Sequence, residues 1–466
     1  MDVVLFYPPN FFVETAQKQK VTQRLPQRWE KSPPLGILYL ASVLEKNEIS
    51  VNIIDANALE IGLEETLKLI EKEKPKIVGI SATTYQIRAA VQLAKRLKEE
   101  SRNEIVIGLG GAHVSSDPDF INRLPFFDFG LVGEGEITFP KLVKKALSDE
   151  KVKGIFYGEQ PTNLDEIPFP ARHLVDKRWY FPSGQEVAPI LANRGCPYNC
   201  IFCSSKVLGR RVRFRSPTNI VDEMEKIMDE YSGRFWFVND VMTANRDHTL
   251  ELCKEIVNRK LDLEWSCETR INLVDTVLLK AMHKAGCRSI SFGIESGCER
   301  VRTMIVRKNF TNEKILEIFR LCKKIGIQRN AYLMLGFPTE TREELYETVH
   351  FGSKIDADII GVHVTQLMPG SDLFTYAVKE GAIPNEIYDH YAKGELRDHW
   401  PIYIPKGLSL NDLTEARRDA YKHFYFGPRF ILRRLVYDMG SWSRLKKDGR
   451  MAFTLWKKGK TPGESI

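Results

Sequence analysis

The chain has 466 residues, 43% of them apolar, with 68 Lys and Arg against 61 Asp and Glu, a net charge of +7. That length leaves room for two or three domains, each with its own core, and the apolar share is ordinary for a soluble globular protein. No run of 18 apolar residues indicates a transmembrane helix. Met1-Asp2-Val3-Val4-Leu5-Phe6 lacks the basic start of a signal peptide, so a cytoplasmic protein is expected. The charge is uneven: Pro401–Ile466 holds 14 Lys/Arg against 6 Asp/Glu, or +8, which leaves the preceding residues near neutral.

The N-terminal part alternates short apolar runs with helical patterns, as a doubly wound parallel α/β sheet does. Strands are expected at Val3–Tyr7, Val51–Asp55, Ile77–Ser81, Ile105–Gly108 and Phe129–Val132, and helices at Ile37–Leu44, Leu63–Glu73 and Ile87–Glu100. The strand ends carry Pro8-Pro9, Ser81-Ala82-Thr83-Thr84, Gly110-Gly111 and Gly133-Glu134-Gly135-Glu136. Open α/β sheets bind ligands at that edge, and glycine there lets a large ligand approach the backbone. Pro161, Pro168 and Pro170 mark a linker. A second α/β run follows, with strands near Ala188–Ala192, Phe235–Asn239, Glu264–Cys267, Ser289–Gly293, Asn330–Leu335 and Ile359–Leu367, and helices such as Ile220–Tyr231, Thr249–Arg259 and Asn312–Ile325. Six strands with intervening helices predict a partial (β/α)6 barrel, open on one side, with its site at the carboxyl ends of the strands. The tail reads as basic and helical over Leu413–Tyr425 and Arg429–Met439. Four segments result: 1–155, a linker over 156–181, the barrel over 182–405, and the helical C-terminal segment 406–466.

All eight cysteines lie at or after residue 196, and three of them fall in Cys196-Pro197-Tyr198-Asn199-Cys200-Ile201-Phe202-Cys203. Gly195 permits a tight turn into this loop. Three thiolates on one short loop can hold three irons of a four-iron cluster. With no fourth cysteine nearby, one iron stays open to a small ligand. Structural zinc is the alternative, but it takes four ligands, often in paired units, and no second pair is present. Cys253, Cys267, Cys287, Cys298 and Cys322 are read as buried, inert thiols. A thiolate-bound cluster also suits a reducing compartment.

The loop resembles the CxxxCxxC signature of the radical S-adenosylmethionine (SAM) enzymes. The resemblance continues along the second domain, in Asn239-Asp240, Arg270, Gly293-Ile294-Glu295-Ser296-Gly297, Gly336-Phe337-Pro338-Thr339-Glu340-Thr341 and Met368-Pro369-Gly370, where Ser371 stands in place of Thr. It implies that Cys196, Cys200 and Cys203 ligate a 4Fe-4S cluster and that SAM binds the open iron. Phe202 would lie near the adenine, with Asp240, Arg270, Glu295 and Ser296 as further SAM contacts. Each motif alone has a plainer reading: Asp240, Thr339 or Thr341 could cap a helix, and Glu295 could be a satisfied strand-end group.

The N-terminal domain resembles the cobalamin-binding domain often placed before such a barrel. The matching strings are Tyr7-Pro8-Pro9, Pro34-Leu35-Gly36-Ile37-Leu38-Tyr39-Leu40-Ala41, Gly110-Gly111-Ala112-His113 and Gly133-Glu134-Gly135-Glu136. The contacts this implies are Pro8, Ser81, Thr83, Gly110, Gly111, His113, Gly133, Glu134, Gly135 and Glu136. The alternative is a cofactor-free domain that shapes the substrate cleft. The DxHxxG motif that places a His beneath cobalt is absent, so cobalamin is expected without a protein His as lower ligand. No cysteine precedes residue 196, which argues against a methylthiotransferase with a second cluster.

Together these features imply a cobalamin-dependent radical SAM enzyme. The reading is a C-methyltransferase acting on an unactivated carbon through a 5′-deoxyadenosyl radical and methylcobalamin. A cyclase, oxidase or carbon–carbon coupling enzyme is the alternative, and a non-enzymatic iron–sulfur scaffold a third. The expected partners are a small-molecule or lipid substrate and an electron donor such as flavodoxin or ferredoxin, with a membrane surface as a further option and no nucleic acid. The basic, aromatic-rich tail has two readings, a helical cap on the open barrel or a surface for anionic lipid.

Overall fold

Runs such as Val3-Val4-Leu5-Phe6 are buried residue by residue, as strands covered on both faces must be. The computed structural model describes residues 1–10, 12, 31–100, 104–181, 184, 186–396, 403–428 and 430–431. Within them lie two parallel sheets of six strands each.

The first sheet holds β1 (Val3–Tyr7), β2 (Val51–Asp55), β3 (Ile77–Ser81), β4 (Val106–Gly110), β5 (Phe129–Val132) and β6 (Gly154–Tyr157) in the order β2-β1-β3-β4-β5-β6. The strand order reverses at β1, with β2 added on one side and β3 on the other, so a crevice opens at the carboxyl ends of β1 and β3. The helix Leu35–Lys46 packs with Thr138–Leu147 on one face, and Leu63–Glu73 with Ile87–Glu100 on the other. β6 was not expected: the sequence reading ends the first segment at 155, inside this short strand, whose Tyr157 is largely exposed.

The second sheet runs β7 (Ala188–Ile190), β8 (Arg234–Phe237), β9 (Glu264–Thr269), β10 (Cys287–Glu295), β11 (Gln328–Leu335) and β12 (Ile359–Val364), each paired in parallel with the next. Among the described residues β7 and β12 do not pair, so this is the open (β/α)6 barrel expected. Outward residues such as Phe235, Phe237, Trp265, Ile290 and Phe292 form a core with the covering helices. By the two-residue period of strands, Trp236, Ser266, Glu268, Ser291, Asn330 and Tyr332 face the lumen. Those helices start on side-chain caps from Ser216, Asn245, Asp275, Thr311 and Thr341, each worth about 1 kcal/mol.

The helix Leu410–Tyr425 closes the free edge of the barrel. It buries Leu413, Ala416, Ala420 and Phe424. The Tyr421 hydroxyl accepts from the Val362 N–H at 3.0 Å, and the Tyr425 hydroxyl donates to the Ile360 carbonyl at 3.4 Å. An exposed strand edge invites unwanted pairing, and two tyrosines occupy it here. Of the expected helix Arg429–Met439, Phe430 and Ile431 are described and helical, with Phe430 packed against the barrel core. The rest of it, with Tyr437, Trp442 and Trp456 of the basic tail, lies outside the described residues. No helix among those described is long and apolar enough to cross a membrane.

Candidate active site

The carboxyl edges of the two sheets face each other across a cleft of about 420 Å³. One wall is Leu35, Gly36, Tyr39, Leu40, Ser81, Gly111 and the Gly133–Glu136 turn. The other is Asn193, Arg194, Trp236–Asp240 and Glu268. A narrower slot of about 50 Å³ adjoins it along β3, β4 and β5, sharing Leu40, Ser81, Gly111, Gly133 and Gly135. Glycine is required there for space. A Cβ at Gly108 would meet the Phe129 ring at 2.2 Å, and one at Gly135 would meet Leu40 at 2.8 Å.

The cysteine loop enters the barrel top directly after β7. The Cys196 N–H donates to the Gly209 carbonyl and the Cys203 N–H to that of Cys200. Two donors already point at sulfur: the Ser205 N–H toward Cys203 Sγ at 3.4 Å, and Arg270 Nη1 toward Cys200 Sγ at 3.4 Å. The Arg270 guanidinium also lies 3.8 Å from the centre of the Tyr198 ring, a cation–π contact that fixes it under the loop. Burial pushes the Cys196 and Cys203 thiols above the usual range; coordination to iron would reverse that preference, because a metal-bound thiol is deprotonated. Among the described residues no three His, Cys, Asp or Glu side chains converge on a single ion. A four-iron cluster takes each thiolate at a different iron, which a loop of spaced cysteines suits. All eight cysteines are free thiols.

Asp240 caps no helix; Asn245 starts the one that follows. Desolvation raises the Asp240 carboxyl, and its charge acts on both Cys196 and Cys203. It thus stands at the rim shared by cleft and loop. Glu295 is held by Lys308, whose ammonium donates to its carboxylate at 2.7 Å and to the Gly293 carbonyl at 2.8 Å. A Cβ at Gly293 would come within 2.6 Å of both charged groups. Glu295 has φ +68°, a rare conformation for this residue type that a surrounding site must enforce. Glu268, on the neighbouring strand, has its carboxyl raised by burial and then by Glu295.

The remaining expected residues divide. Phe202 is half-buried with its ring 6.1 Å from Phe337, and Gly110 lines the narrow slot. Ser296 is fully buried, accepting from the Cys298 N–H and meeting the Thr348 hydroxyl. Pro8 gives its carbonyl to Gln86, and the Thr83 N–H and hydroxyl both donate to the Gln86 side chain. His113 is fully buried; its Nδ1 meets the Thr84 hydroxyl at 3.2 Å, its ring packs on Phe120, and burial pushes it down to about 3. No His among the described residues lines either hollow. Glu340 builds the turn after β11, accepting from the Gly336 and Phe337 amides, and burial pushes its carboxyl up to about 7. Glu134 and Glu136 line the cleft and are engaged in ion pairs across it. Glu134 pairs with Arg194 at 2.8 Å and with Arg213, and Glu136 pairs with Arg194 at 2.6 Å. Arg194, Arg213, Lys308 and Glu268 were not singled out in the sequence. Glu268 alone left a signal, as the acid in an otherwise regular inward alternation.

The chain matches the model of the radical SAM superfamily over residues 190–352 and that of the B12 binding domain over 30–143. It is 31% identical to an uncharacterized methyltransferase of Pyrococcus horikoshii, covering 94% of this chain and 96% of that one. It is 28% identical to the anaerobic magnesium-protoporphyrin IX monomethyl ester cyclase of Rubrivivax gelatinosus, over 92% of this chain and 78% of the other. Its fold is similar to that of the radical SAM methyltransferase TsrM from Kitasatospora setae, with a TM-score of 0.68 at 18% identity, covering 91% of this chain and 90% of that one.

Proposed function

The chain belongs to the radical SAM enzymes that carry a B12-binding domain, and from that premise we propose that it is a C-methyltransferase whose small-molecule or lipid substrate enters the cleft between the two domains. The observation that carries this reading is the cleft itself. The glycine-lined edge of the first sheet and Asn193, Arg194 and Asp240, which lead into or flank the cysteine loop, line one space, within the size range of small-molecule pockets. A methyl carrier on one wall and a hydrogen-abstracting centre on the other is what methylation of an unactivated carbon needs.

The donor sets fit the three groups. Cys196, Cys200 and Cys203 would hold the 4Fe-4S cluster, Asp240, Arg270 and Glu295 the SAM, and Gly110, Gly111, Gly133 and Gly135 would admit the flat face of cobalamin. When bound, the cluster and SAM supply a hydrogen-abstracting fragment and cobalamin a methyl group. Arg270, fixed by Tyr198, offers charge-assisted donors beside Cys200. Lys308 holds the Glu295 carboxylate in place. Trp236, Tyr39 and Leu40 give the cleft apolar surface, which helps to exclude water around a reactive substrate.

Holoenzyme incubated with methyl-deuterated SAM and a small-molecule extract of a deletion strain should place the label on carbon in a new compound. Formation of 5′-deoxyadenosine and a changed product with no label would instead place the chain with the cyclase-type reaction named for the Rubrivivax relative. The proposal extends to the basic tail, with its excess of Lys and Arg, as a contact for anionic lipid. Sedimentation with anionic liposomes at low and high salt tests it, because exposed charges are screened over roughly 8–10 Å at physiological salt. Salt-sensitive pelleting is expected; no pelleting at low salt leaves the tail as the structural cap.

A further inference from the structure

The outer face of the cysteine loop is ringed by positive charge. Asn199, exposed between Cys196 and Cys200, accepts from Arg210 at its side chain and from Arg307 at its carbonyl, each at 3.3 Å. Arg211 follows Arg210, and Lys206 lies three residues after Cys203; all four cations are exposed. Asp372 takes both Lys206, at 3.2 Å, and Arg307, at 2.5 Å, while Arg210 meets the uncharged Asn199, so positive charge is in excess around the loop. Met304, on the same segment as Arg307, is 72% exposed. The inner side of the loop is closed, with Cys196 buried and Ile201 packed in a cluster with Phe337 and Leu373. Cys200 and Cys203, both half-buried, lie in the same short loop as the exposed Asn199 that Arg210 and Arg307 contact.

Radical SAM chemistry makes a demand on that face. Each cleavage takes one electron from an external carrier, which is oxidised by one electron. The electron enters SAM as its sulfonium C–S bond breaks, methionine leaves, and the 5′-deoxyadenosyl fragment keeps the unpaired electron until it takes a hydrogen atom. We propose that Lys206, Arg210, Arg211, Arg307 and Met304 form the docking face for a small acidic one-electron carrier protein. Opposite charges steer encounter and set orientation, and Met and Arg are enriched at interfaces. Weak electron-transfer complexes use small contacts, which a patch of five side chains matches. An anionic membrane is less suited to this face, which presents one exposed apolar side chain and no amphipathic helix. The inference rests on the radical SAM assignment and not on methyl transfer.

The test uses full-length, cluster-loaded protein, flavodoxin as the probe, and the double variant Arg210→Glu/Arg211→Glu. Binding of oxidised flavodoxin, measured by biolayer interferometry at low salt, should weaken at least tenfold in the variant. Wild-type binding should weaken steeply with added salt and the variant's should not. SAM cleavage driven by reduced flavodoxin should fall by a similar factor. Cleavage driven by titanium(III) citrate, which needs no protein interface, should stay within twofold and shows that the variant is folded. Unchanged flavodoxin binding, whether or not liposome binding falls, overturns the proposal. So does an equal loss with both reductants. Because neither readout involves a methyl group, failure of the methyltransferase reading leaves this test intact.

Discussion

Anaerobically reconstituted Cys200→Ala yields no measurable 5′-deoxyadenosine from SAM, a loss of at least a thousandfold, or ~4 kcal/mol of barrier at about 1.36 kcal/mol per factor of ten. Cys200 is the middle thiol of the loop and the one that faces Arg270, so its removal takes away one of the three thiolates that would hold the cluster. Wild-type protein should carry about four irons per chain, the complement of one Cys-bound four-iron cluster, and the variant fewer. Cys253→Ala is the control. That thiol lies in the barrel core, and burial pushes it up to about 12, so it is a poor thiolate and its loss should leave iron content and cleavage in place. Iron analysis with chromatographic assay of 5′-deoxyadenosine decides the matter. Full cleavage by Cys200→Ala would remove the loop from the site.

What the sequence displayed well was local. The cysteine spacing lies within eight residues, so the loop could be read without knowing the fold. Strands β1, β2 and β3 stand where continuous apolar runs ended in turn residues. Pairing between strands was harder to see. β4 runs to Gly110, two residues past the expected end, because Gly108 and Gly110 still pair with their neighbours. β10 extends to Glu295 through an irregularity in its register with β11, which the polar end of that run concealed. β6 is an edge strand of only four residues, half-buried or exposed, and the nearby prolines made the region read as linker. At the site, illegible roles were those set by distant partners. Glu295 looked like a ligand contact, and its ion-pair partner Lys308 lies in the segment after the following turn. His113 sits in a motif that suggests a ligand, yet its ring is committed to the core by Phe120 and Thr84.

The same reasoning singles out Glu134, whose charge partner Arg194 is 60 residues away. Arg194 stands two residues before Cys196, while Glu134 and Glu136 belong to the glycine turn on the opposite wall of the cleft. Their side chains and those of Arg194 and Arg213 are at most 10% exposed. Removing one member of such a buried pair leaves an uncompensated charge and costs about 3–5 kcal/mol, so each member holds the others in place. This ion cluster therefore ties the glycine-lined wall to the start of the cysteine loop. Glu134→Gln keeps an acceptor oxygen but loses the charge shared by two arginines. Reacting groups displaced by ~1 Å can lose about a hundredfold in rate. The expected result is a ten- to hundredfold fall in methylated product per 5′-deoxyadenosine formed, with cleavage of SAM itself within a few-fold of wild type. Arg194→Lys should give the same uncoupling more weakly, since an ammonium cannot span two carboxylates as a planar guanidinium does. A purely stabilising ion cluster would lower the melting temperature and leave the product ratio unchanged. The ratio of methylated product to 5′-deoxyadenosine, measured well below the melting temperature of each variant, separates the two roles.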